Sequence, residues 1–247
     1  MAKQCHLPNA PITEALLHFQ VRFDTPPKGG VLEAVANSIK KELPLVEKRQ
    51  KATFSFSLAA DQSDHNVETE PDGFLARSND RTYAAQIMRE SFTFSRLAPY
   101  EDWETLYREA MRIWSIYAEI TQPVRIVRVA VRYINKLMLP MPLTDFGDYF
   151  TKPIDIPAEL PQGLANYMLR YVLPDPGTNM IATVHQVFDG EIVNNQLSVI
   201  FDIDAFKAVD FEVSDNEEIS STLEGLREYT NLIFFSNLTE RAIGLYK

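Results

Sequence analysis

The chain has 247 residues, 45% hydrophobic and 23% charged, a balance that supports a sizeable core and sets it apart from disordered and fibrous classes. A net charge of −10 repels phosphate backbones and anionic membrane surfaces at long range, which disfavours both as partners. Cys5 is the only cysteine, so neither an intramolecular disulfide nor a thiolate metal cluster can form, and a reducing, cytoplasmic setting is expected.

The opening MAKQCHLPNA has no apolar leader core, and every later hydrophobic run is broken before membrane-spanning length. Cys5 in this tail reads as an ordinary surface thiol. Residues Glu14 to Phe23 alternate, with Ala15, Leu17, Phe19 and Val21 on one face and Glu14, His18, Gln20 and Arg22 on the other. This is the pattern of a half-buried strand. A turn-rich DTPPKGG follows, then helical spacing over Val31 to Leu43. Lys51 to Ala60 alternates again, Asp61 to Asp72 reads as an acidic loop, and Phe74 to Ser78 and Arg81 to Phe94 read as two strands joined across Asn79-Asp80.

The clearest helix spans Tyr100 to Ile120, with Trp103, Leu106, Tyr107, Ala110, Ile113, Trp114 and Tyr117 on one stripe that should pack against a sheet. Pro123 to Leu139 is then a long two-faced strand. Val127, Val129, Val131, Tyr133 and Leu137 fall on one side, and Arg128, Arg132 and Lys136 on the other. A proline-rich crossover with a short helix near Leu143 to Phe150 leads to strands at Asn166 to Leu173, Met180 to Phe188 and Gln196 to Phe206, the last two separated by Asp189-Gly190. A final helix runs from about Asn216 to Phe235.

Written as elements, each half reads β-α-β-β-β-α. The expected fold is α+β, with two such pseudo-repeats, residues 10–121 and 122–247, forming one curved antiparallel sheet within a single domain and two long helices packed on one face.

Pro11-Ile12-Thr13-Glu14-Ala15, Phe94-Ser95-Arg96 ahead of Tyr100 and Trp103, Arg128-Val129-Ala130-Val131-Arg132-Tyr133-Ile134-Asn135, Asp202-Ile203-Asp204 and Phe234-Phe235 run along essentially the whole chain. Together they resemble a sporadically distributed bacterial family of uncharacterised proteins of similar length. The resemblance implies a bacterial cytoplasmic protein of accessory role and patchy occurrence, and carries over no catalytic residues.

The common enzyme signatures are missing: no Gly-rich phosphate loop, no GxSxG, no HExxH, no CxxC. No cofactor is implied. Asp202 and Asp204 share a strand face and have the oxygen chemistry of a weak Mg²⁺ or Ca²⁺ site, though ion pairing is the commoner fate of such residues. The sharper constellation gathers the polar strand faces: His18 and Arg22, Arg128, Arg132 and Lys136 with Asn135 of the same strand, and His185. Arginine can hold phosphate or carboxylate bidentately and histidine can exchange protons near neutral pH, so a cleft of these residues would bind a small anion. If carboxylates cap the arginines instead, the face is a solvated or interface-facing ladder. The first expectation is therefore a non-catalytic binding protein, working through self-association or a partner protein. The second is a small enzyme or a nucleotide or phosphate binder using the Arg/His cleft.

Overall fold

The computed structural model describes residues 2–59, 62–143 and 145–247, with side chains described outside positions 51–71 and 189. Nine strands form one antiparallel sheet: β1 (Ile12–Arg22), β2 (Leu45–Ala59), β3 (Gln62–Arg77), β4 (Tyr83–Met88), β5 (Ser91–Leu97), β6 (Arg125–Pro140), β7 (Tyr167–Asp175), β8 (Met180–Val193) and β9 (Gln196–Phe211). The helices are α1 (Gly29–Ser38), α2 (Trp103–Thr121), α3 (Asn216–Asn237) and a short α4 (Glu240–Gly244). The strand order is β2-β3-β4-β5-β1-β6-β9-β8-β7, so β2 and β7 are free edges and the sheet is open. The expected α+β class holds.

β1 and β6 pair at the centre and join the two halves into one sheet. Outward from them the order is symmetric at first, with β5 and β9 next and then β4 and β8. The halves do not match element for element. Four strands follow α1 in the first half, whereas a single 3-10 turn, Phe146–Asp148, stands where the second-half helix was expected.

The period-2 pattern of β1 is realised as read: Ala15, Leu17 and Phe19 are fully buried and Val21 nearly so. In β6 the pattern breaks at one point. The register against both neighbours skips Val127, so this residue sits in a bulge and Ile126, not Val127, enters the core. α2 starts at an Asp102 N-cap, whose side chain accepts from the Thr105 amide at 2.7 Å, rather than at Tyr100. Its stripe docks on β1 and β5 through Phe19, which stacks on Trp114 with ring centroids 4.3 Å apart. α3 covers β6 and β9, with Phe234 against Phe201. Both long helices thus lie on one face of the sheet.

Several boundaries differ from the sequence reading, for one recurring reason: backbone pairing does not require an apolar face. β2 begins at Leu45 rather than Lys51 because its polar start pairs with β3 from Leu45↔Arg77 onward. The expected acidic loop is strand from Gln62; Ala60 and Asp61 lie outside the described residues. The single strand expected over Arg81 to Phe94 folds back at Arg89-Glu90 into β4 and β5. β8 runs through Asp189-Gly190, where Gly190 (φ +85°) accompanies a register shift, and turns instead at Asn194-Asn195. Both asparagines have positive φ, as a two-residue hairpin demands.

The helix-free face is not simply exposed. Ser95, Ala130, Ser198 and Leu75 alternate away from the helix-side core yet are buried, which fits a sheet curved toward that face. Among the described residues no helix is long and apolar enough to cross a membrane.

Candidate functional site

Alternation and register place most of the predicted site residues on the helix-free face. Leu16 stands opposite Arg132, Gln20 opposite Arg128, and Arg132 opposite Asp204; Ile134 is opposite Asp202, and Asp202 opposite His185. The residues divide along the strands into three sets instead of one cleft. At one end Arg22 reaches Asp210 at 3.7 Å beside Arg125, which holds Asp210 at 3.0 Å and Glu212 at 3.4 Å. At the other end Lys136 pairs with Glu191 at 3.6 Å. Between them lie His18, Arg128, Arg132, His185, Asp202 and Asp204.

The central set is neutralised from within. Arg132 grips Asp202 with both arms, Nε to Oδ1 at 2.8 Å and Nη2 to Oδ2 at 2.7 Å, and His185 Nδ1 lies 3.5 Å from the same carboxylate. Asp202 is only 7% exposed, so this charge depends on its arginine. Arg128 lies over the Phe206 ring, 4.3 Å from its centroid, and reaches Asp204 at 3.5 Å. Burial lowers the Arg128 pKa and raises that of Asp204, while the bonds from Arg132 to Asp202 strengthen the Arg132 charge. Each arginine expected to await an anion already faces a carboxylate.

His18 is held in the same region by Thr93, with Nδ1 2.9 Å from Oγ1. Burial first, and the Arg128 charge second, bring its pKa down to about 4. The imidazole is therefore neutral at physiological pH, and proton exchange near neutrality, the role anticipated for it, lies outside its range. Asp202 and Asp204 face arginines, and no group of three His, Cys, Asp or Glu positioned for a metal occurs among the described residues.

Between the charges the face is apolar. Leu16, Ile134, Ile181, Val187, Ile200 and Phe206 alternate onto it, half-buried with no helix against them. The edge strand β7 adds Met168, 73% exposed, and Val172, 43% exposed. These positions sit within the very alternation that marked the arginines, but only the cross-strand register shows that they share one surface.

No family model matches this chain, and no curated protein matches it.

Asn135 departs from the other candidates. The alternation that buries Val131, Tyr133 and Leu137 puts its side chain on the helical side, opposite Ile12, 2% exposed and donating to the Phe201 carbonyl at 3.0 Å. There it lines a pocket of about 400 Å³ at the junction of the two halves, bounded by the N-terminal segment, the start of α2, β6 and α3. Sequence reasoning missed this pocket. Its walls come from residues far apart in the chain, and the N-terminal segment, expected as a loose tail, is tied down where the Ala2 amide donates to the carbonyls of Phe235 and Leu238 at 3.2 and 3.0 Å. Cys5 is exposed, on the rim of this pocket.

Proposed function

We propose that this is a non-catalytic binding protein, cytoplasmic and accessory in role as the sequence resemblance implies, that recognises a partner protein on the helix-free face of its sheet. The observation that carries the reading is the composition of that face: half-buried aliphatic and aromatic side chains interleaved with ion pairs that are already satisfied. Such a surface can be covered with few charges stranded, exposed Arg170 opposite His185 being one that a carboxylate of the partner would meet, and arginine, methionine and aromatic side chains are the types enriched at protein interfaces. A free phosphate or a nucleic acid would have to displace the bound carboxylates and approach a chain of net charge −10. The same net charge opposes a second copy, which favours a different protein as the partner.

A photoreactive benzoylphenylalanine placed at Ile134 or Val187, in cells that naturally make the protein, tests this. A discrete adduct with one other protein from both positions, and none from Ser115 on the exposed side of α2, is the expected result. Adducts of twice the chain mass, or none from either sheet position, would overturn it.

A further inference from the structure

The pocket on the opposite side of the sheet has chemistry of its own, independent of the partner face. We propose that it binds a small organic amine, a protonated amino group carried on a flat apolar body. At about 400 Å³ it is in the range of pockets that enclose small molecules. Tyr100, Trp103, Tyr133, Phe234 and Phe235 supply aromatic lining, which suits a flat ligand and whose ring faces attract cations.

The polar groups point to a hydrogen-bond donor on the ligand. Asn135 spends its Nδ2 on backbone carbonyls, that of Phe201 at 3.0 Å and more weakly that of Tyr133 at 3.5 Å, and its Oδ1 accepts from no described residue. The side chain is 98% removed from solvent but its carbonyl oxygen is not sealed in the interior, so on the pocket wall it is an acceptor that a ligand's donor can reach in place of water. The Tyr100 and Tyr133 rings meet edge to face, and burial pushes the Tyr100 pKa up to about 12 and raises that of Tyr133 well above the ordinary value, so both stay neutral phenols able to donate and accept.

Charge then decides between an amine and an acid. Two of the lining charges are matched: Glu101 by Arg96 at 2.8 Å, and Arg227 by Glu224 at 2.6 Å, with the Arg227 guanidinium 5.5 Å from the Trp103 ring centroid. Asp102 and Glu104 remain. Asp102 caps α2, and Glu104 lies in the field of Arg227 without forming an ion pair. Two carboxylates exceed the half-charge at the N-terminus of α2, so the mouth of the pocket is negative and selects a cation.

Calorimetric titration with three probes of matched size tests this: phenethylamine, 2-phenylethanol and phenylacetate. Phenethylamine should bind about tenfold more tightly than the alcohol, with phenylacetate weakest. The exposed Glu104→Gln change should weaken the amine several-fold and leave the alcohol unchanged. Asn135→Ser, checked for folding by its melting temperature, should weaken both donors. Equal affinity for the three probes, a preference for phenylacetate, or no binding by any would overturn the assignment. None of these results bears on the partner face, where Ile134 and Val187 lie on the other side of the sheet.

Discussion

At the scale of single residues, His18 shows how a sheet position can remove a property the side chain has in isolation. An unfolded histidine titrates near 6.5, and the folded one near 4. Between these values the unfolded chain binds more protons, so the His18 contribution is complete above pH 6.5 and is lost as the pH falls toward 4. The expected cost is roughly 2 kcal/mol at pH 5 relative to pH 7. His18→Gln removes the titration while keeping a polar group near Thr93, so its urea-unfolding stability should fall much less over the same interval than that of the wild type. An equal decline in both would place the titrating group elsewhere. The arginines carry a related lesson. Their alternation was legible in the sequence, but Asp202 and Asp204 lie 70 or more positions away, and only register pairs them with Arg132 and Arg128.

At the scale of elements, helix periodicity was the strongest signal and survived best. The α2 stripe from Trp103 to Tyr117 is the core face, apart from a half-buried Tyr107, because an apolar stripe of that width has no other stable fate than contact with a sheet. Trp114 contacts Phe19, Phe92 and Tyr117 and is 2% exposed. Trp114→Ala should therefore cost about 3–5 kcal/mol, read by chemical denaturation. A loss under 1 kcal/mol would mean that α2 repacks freely. Strands were read less well wherever pairing, not burial, fixes them, as in the polar start of β2, the reversal at Arg89-Glu90 and the passage of β8 through Gly190. In each place the ladder is satisfied by a neighbour that local composition does not announce.

At the scale of the whole molecule, β1 and β6 make the two halves one sheet, with a shared core running from Leu17 and Val131 to Phe201 and Ile219. Unfolding should accordingly be a single transition. Urea curves followed by the fluorescence of Trp103 and Trp114, both in the first half, should coincide with far-ultraviolet circular dichroism, which reports both halves. A second transition seen only by dichroism would show that the halves unfold separately.

Local periodicity was enough for the class of the fold, the two long helices, the buried face of β1, the arginine row and the side of β6 on which Asn135 falls, because none of these needs knowledge of distant residues. The order of strands, the carboxylates that neutralise the row and the pocket that Asn135 lines came from the tertiary structure. These depend on register and on contacts between remote segments, and a shift of one residue in pairing moves a side chain to the opposite face.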